Sequence, residues 1–145
     1  MVKSSCSLLV HAPIEVVWDF ISDVEEWAPL VSGYLSHRRF ARDHVEWKMK
    51  IPYGIMKKTV TAELRVKEWI PPEKIRFTLE DVKGSFGGCG EFTSKADGNR
   101  TIMNGWLSVN PKGSRKWVPD RIFEGIMEEM IVSLSHAIKI KLEQN

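Results

Sequence analysis

Hydrophobic positions recur at a helical period near each end of the chain and at every second residue through the middle. The pattern therefore divides the sequence into helix, sheet and helix. The first helical stretch is Ala12 to Trp27, APIEVVWDFISDVEEW, behind a short N-terminal strand. Ile14, Val17, Trp18 and Ile21 fall at i, i+3, i+4 and i+7. Val16 and Phe20 widen that stripe, while Glu15, Asp19 and Ser22 take the opposite side. Pro13 suits the first helical position, where its missing N–H is not needed, and Asp23 with Glu26 three residues on predicts the cap of a second short helix.

From there the period becomes 2. Val45, Trp47, Met49 and Ile51 alternate with His44, Glu46, Lys48 and Lys50, and Val60, Ala62, Leu64 and Val66 oppose Thr61, Glu63, Arg65 and Lys67. Pro71 and Pro72 mark a turn before Ile75, Phe77 and Leu79 resume the alternation. Phe86 to Phe92 and Thr101 to Val109 read as two further strands, joined by a tight turn at Asp97, Gly98 and Asn99, and a weaker strand runs from Tyr34 to Phe40. With the N-terminal segment this predicts a seven-stranded antiparallel sheet. A long helix from about Pro119 to Leu142 closes the chain, its stripe formed by Phe123, Ile126, Met127, Met130, Leu134 and Ile138, with Lys139 and Lys141 at its negative end. A strand, two short helices, six strands and one long helix is an α+β order in which a curved sheet wraps the last helix, and residues 1–145 form a single domain.

Composition changes this picture little. The chain has 145 residues, 43% of them hydrophobic and 28% charged, enough for a sizeable core, and its net charge of +2 does not by itself call for a polyanion partner. No apolar run is long enough to cross a bilayer, and Met1 to Val10 lacks the apolar core and cleavage site of a signal peptide, which predicts a cytoplasmic protein. Cys6 and Cys89 stand far apart without ligand-spaced neighbours, as core or surface residues do.

Taken together, APIEVVWDFISDVEEW, the segment Pro29 to Gly33 (PLVSG), the strand-turn-strand VKEWIPPEKIRFTLE and Gly98 to Met103 (GNRTIM) make the chain resemble the START-like (SRPBCC) superfamily of helix-grip domains. Within it the chain is most similar to the CoxG-like group, typified by a carbon monoxide dehydrogenase protein, with polyketide cyclases and dehydratases as further relatives. The likeness extends over nearly the whole chain. It departs from the family at Gly105, where a larger residue is common, and at Lys112 to Val118, which is unusually basic and carries Trp117.

No catalytic constellation accompanies this pattern. His11, His37, His44 and His136 are scattered without metal-ligand spacing, so no metal or other cofactor is expected. Gly87, Gly88 and Gly90 lie in a strand pattern without a phosphate-binding lysine, which suits bending or close approach of another element. No strand carries an RNA-recognition signature, so nucleic acid is not an expected partner.

The interior carries many large, soft side chains instead. Trp47, Met49, Leu64, Phe77, Leu79, Phe92, Met103, Leu107, Phe123, Met127 and Met130 all point to one inside by alternation or helical stripe, with Trp27 and Leu30 at its edge. A solid core and an apolar cavity both fit that list of side chains. The resemblance favours the cavity, and implies non-catalytic binding or transfer of a small lipid-like or isoprenoid-like molecule, delivered or accepted at a membrane for a redox enzyme. Hairpin parity adds that the loops near Pro52 to Met56, Val82 to Ser85 and Asn110 to Val118 cluster at the start of the long helix. Tyr53, Ile55, Lys57, Lys58, Lys112, Arg115, Lys116 and Trp117 mix basic and apolar character there, as a portal against an anionic membrane surface does; ordinary solvated loops are the alternative reading.

Two other classes stay open. The resemblance also admits a cyclase, aromatase or dehydratase, with Tyr34, His37 and Asn104 as the few polar candidates, although alternation turns Asn104 away from the inside. Ile102 and Trp106 fall on the convex face, where they suit a homodimer or a protein partner.

Overall fold

The alternating segments all become strands of one antiparallel sheet in the computed structural model, which describes residues 2–53, 55–111 and 120–144. The strands are β1 (Val2–Val10), β2 (Tyr34–Ala41), β3 (His44–Tyr53), β4 (Met56–Ile70), β5 (Lys74–Asp81), β6 (Phe86–Asp97) and β7 (Arg100–Pro111), in spatial order β1-β7-β6-β5-β4-β3-β2. β2 to β7 form a simple meander, and β1 closes it by pairing with β7. The chain must therefore pass from one sheet edge to the other between β1 and β2. Helices α1 (Ile14–Ile21) and α2 (Val24–Trp27), followed by a 3-10 turn over Ala28–Leu30, make that crossing.

Local chemistry sets the ends of these helices. Pro13 sits one position earlier than its sequence context predicts: it is the N-cap, extended at ψ 154°, and its carbonyl accepts from Val16 N at 3.0 Å and Val17 N at 3.1 Å. Asp23 caps α2 as expected, its carboxylate accepting from Glu25 N at 3.1 Å. The apolar stripe of α1 is narrower than the sequence suggests. Val17, Phe20 and Ile21 are buried, whereas Val16 is 42% exposed, because a helix lying across the rim of a sheet covers only one face.

Bulges between Tyr34 and Ser36, Arg39 and Ala41, and Val66 and Glu68 interrupt the ladders on the β2–β5 side and curve the sheet. Helix α3 (Asp120–Glu143) lies in the concavity, burying Phe123, Ile126, Met127, Ile131, Leu134, Ile138 and Leu142. Its close approach depends on Gly105. A Cβ there would stand 2.7 Å from Cε1 of Phe92 and 3.3 Å from Ser135 Oγ, so the Phe92 ring and the helix occupy the space that a side chain would need. Phe77 covers Gly90 in the same way, and a Cβ on Gly88 would overlap the Ser108 carbonyl of β7, so both glycines answer a close approach.

Candidate ligand-binding site

An aromatic group built from four elements occupies the interior. Trp27, at the end of α2, is 1% exposed and packs against Trp47 of β3 (6.0 Å between centroids, edge-on), Phe77 of β5 (5.5 Å) and Phe92 of β6 (5.4 Å). Its Nε1–H donates to Ile21 O at 3.0 Å, which fixes the indole against the α1–α2 junction. Beside this group lies a cavity of about 50 Å³, bounded by β3 to β7, α3 and the segment from Trp27 to Val31.

Among the sequence-predicted interior residues, Trp27, Trp47, Met49, Phe77, Leu79, Phe92, Leu107, Phe123, Met127 and Met130 border this cavity. Leu30, Leu64 and Met103 are absent from its described wall. Leu30 is half-buried on the 3-10 turn; Leu64 is fully buried between Val45 and Leu79 on the neighbouring strands; Met103 is fully buried between Leu8 and Ser94. Alternation assigns each of them a face but not the level at which the layers separate. Val31, Ile51, Ala62, Phe86, Val109, Ile131 and Leu134 complete the wall; Ile51, Ala62 and Leu134 belong to the predicted apolar faces but not to the expected lining. Ile51, Phe86 and Val109 continue the same alternations toward the loops, so the pattern does carry a signal for them.

Every described wall residue is apolar. The space is small beside the roughly 300–1,000 Å³ of small-molecule pockets, so a molecule of more than a few heavy atoms enters only if the wall moves. Met49, Met127 and Met130 are the side chains suited to that, being unbranched and adaptable. Outside them lies an open groove of about 510 Å³, bordered by Ser32, Gly33, Lys50, Pro52, Lys57, Ile122, Gly125, Ile126 and Glu129; Ile51 and Met130 belong to both walls. Gly33 shapes this mouth: its φ of +82° and its contact with β3, where Lys50 N donates to Gly33 O at 2.8 Å, exclude a side chain.

The meander brings the β3–β4 and β5–β6 turns to this same end. Ile55, Met56, Val82 and Ile122 stand exposed there, Ile55 completely, with Lys57 exposed and Lys58 half-buried. Asp81 does not offset those cations at the surface, since its buried carboxylate accepts from Lys83 N, Ser85 N and Ser85 Oγ inside the β5–β6 turn. Lys112, Arg115, Lys116 and Trp117 lie outside the described residues, as does the side chain of Tyr53.

The polar candidates assemble elsewhere. Tyr34 Oη is 2.8 Å from His37 Nδ1, His37 Nε2 is 3.3 Å from Glu25 Oε1, and Arg39 Nη1 is 3.5 Å from Glu25 Oε2. This chain of contacts joins edge strand β2 to α2, and none of its members borders the cavity. Asn104 pairs with Ser7 and Thr93 on a strand position facing away from the cavity side. On the convex face Trp106 donates to Glu91 Oε2 at 2.7 Å and lies under Lys3 Nζ at 4.6 Å from its ring centroid, while Ile102 is 41% exposed.

No family model and no curated protein matches the chain. Solved structures do. A conserved protein from Geobacillus kaustophilus superposes with a TM-score of 0.81 at 17% identity, covering 97% of this chain and 95% of that one. A START superfamily protein from Mycobacterium smegmatis gives 0.72 at 20% identity over 98% and 97%. The Zhui aromatase/cyclase from Streptomyces sp. R1128 gives 0.75 at 16% identity over 98% and 93%. The fold is therefore the START-like helix grip, a curved seven-stranded sheet closed on a long C-terminal helix. No helix among the described residues is long and apolar enough to cross a membrane.

Proposed function

We propose that the protein binds and transfers a small hydrophobic molecule, lipid-like or isoprenoid-like, held between the sheet and α3 and exchanged through the groove at the start of α3. The observation that carries this reading is the continuity of an entirely apolar described wall with an open mouth through the shared residues Ile51 and Met130. A wall without a titratable group among its described residues binds but does not move protons, which favours a carrier over the cyclase reading. The mouth faces an anionic membrane from the cytoplasmic side: Ile55, Met56 and Ile122 enter the interface while Lys50 and Lys57 meet the headgroups, each cation contributing about 1 kcal/mol, and the basic sequence of 112–118 would add to that attraction. The likeness of the sequence to the CoxG-like group makes a redox enzyme the proposed client.

Titration with the uncharged fluorophore N-phenyl-1-naphthylamine tests the cavity. Saturable binding that Ala62→Leu abolishes, in a variant with an unchanged circular dichroism spectrum, supports the reading; equal binding by both proteins contradicts it. Co-sedimentation with phosphatidylserine-containing vesicles tests the mouth. Replacing Lys112, Arg115 and Lys116 by Glu should release the protein at low salt, and undiminished binding would remove the membrane from the account.

A further inference from the structure

A Cβ on Gly33, Gly88, Gly90 or Gly105 would stand less than 3.0 Å from a neighbouring atom, and Gly84 and Gly98 sit between strands at φ +75° and +62°. Gly125 has neither reason. It lies inside α3 without a positive φ, and no described atom comes within 4 Å of the Cβ it lacks. A glycine there weakens the helix relative to alanine, so packing within the chain does not explain it. What it leaves is room. Gly125 borders the open groove of about 510 Å³, which has the volume of a small-molecule pocket, whereas the inner cavity of about 50 Å³ takes only the end of a molecule.

The rest of the groove wall says what that room suits. Ile51, Ile126 and Met130 make it apolar toward the cavity, while exposed Lys50 and Lys57 border it from the sheet and exposed Glu129 from the helix. Among the described residues neither lysine is ion-paired. Two cations against one carboxylate are balanced by a single negative charge. We propose that the groove beside Gly125 holds the carboxylate head of a single-chain amphiphile whose apolar tail enters the cavity, so that the bound molecule is an acid of the fatty-acid type. This rests on the reading of the cavity as a site for an apolar molecule. An ammonium head would meet two lysines, a dianionic phosphate would leave a surplus negative charge beside Glu129, and a neutral head gains nothing from either cation. Exposed ion pairs are individually weak, so the lysines set a preference among amphiphiles while the apolar wall supplies most of the affinity.

The test is displacement of N-phenyl-1-naphthylamine by decanoate and by decan-1-ol, amphiphiles of one chain length that differ in the head, in solution without vesicles, so that no membrane headgroup competes for the lysines. The ratio of decanoate to decan-1-ol affinity should fall about tenfold when Lys50→Gln and Lys57→Gln are combined. Gly125→Leu should weaken decanoate at least tenfold while its urea unfolding midpoint is no lower than that of the wild type, a pairing that a merely structural glycine would not give. An unchanged ratio in the lysine variant overturns the carboxylate head, and unchanged decanoate affinity in Gly125→Leu overturns the groove as its site; either result leaves the apolar cavity standing. A bound probe that yields to neither amphiphile also overturns the proposal. A wild type that does not bind the probe overturns the cavity and the groove together. The lysine variant changes exposed residues alone and decides the head even if Gly125→Leu does not fold.

Discussion

The two ends of the space between sheet and α3 are held by different forces. At the end where α3 finishes, polar bonds tie the helix, β1 and the start of β7 together: Lys139 Nζ donates to Leu9 O at 2.6 Å and to Glu143 Oε2 at 2.8 Å, His11 N donates to the same carboxylate oxygen at 2.7 Å, and Thr101 Oγ1 donates to Ala12 O at 2.8 Å. At the end where α3 begins, the wall is Met49, Met127 and Met130, and large apolar side chains stand in the open at Ile55, Met56, Val82 and Ile122. Exposed apolar side chains stand at the tied end as well, at Ile70, Ile102 and Ile140, so what distinguishes the two ends is the polar ties at one and the methionines in the wall at the other. The contrast separates a scaffold from a site. One end ties the helix to β1 by polar bonds; under the proposed function, the methionines at the other end let the wall move.

Trp27 marks the division, so its loss should have the largest effect. Trp27→Ala removes an indole buried against Trp47, Phe77 and Phe92 and should cost about 3–5 kcal/mol in urea unfolding. A cost below about 1 kcal/mol would mean that the ring does not separate solid core from cavity. Next is Gly105→Val, which drives Phe92 off the sheet. It should cost about 1–3 kcal/mol and weaken binding of N-phenyl-1-naphthylamine, since the displaced ring is itself part of the cavity wall. Unchanged probe affinity in a destabilised variant would uncouple the helix contact from the site.

The smallest expected effect lies at the tied end. The hydrogen bonds from Lys139 and from the His11 backbone hold the Glu143 carboxyl below its ordinary value, against a smaller opposing contribution from desolvation. A carboxyl lowered on folding contributes stability above its unfolded value and loses it as pH falls through the lowered one. The unfolding midpoint of the wild type should therefore show a small acid-side decline that Glu143→Gln lacks. Superimposable pH profiles would show that this tie adds nothing to the fixed end.

Much of this division is legible in the residues. The change of period locates all seven strands and the long helix, and the parity of the hairpins brings the β3–β4 and β5–β6 turns to one end. The depth of the gap is less accessible. Leu64 and Ala62 face the same way two residues apart, yet only Ala62 borders the cavity, because the height at which α3 and Trp27 stand off the sheet is a property of the assembled layers. The Tyr34–His37–Glu25 chain of contacts is equally hidden, since it depends on the crossing from β1 to β2 laying α2 beside an edge strand distant in the ladder order.

The central claim is that the soft end holds a hydrophobic molecule, and native mass spectrometry with solvent extraction of the purified protein tests it most directly. The account predicts an adduct on the wild type that extraction recovers as an apolar compound, and its loss in Ala62→Leu. A wild-type protein that carries no adduct and takes up no apolar compound added to it would contradict the claim.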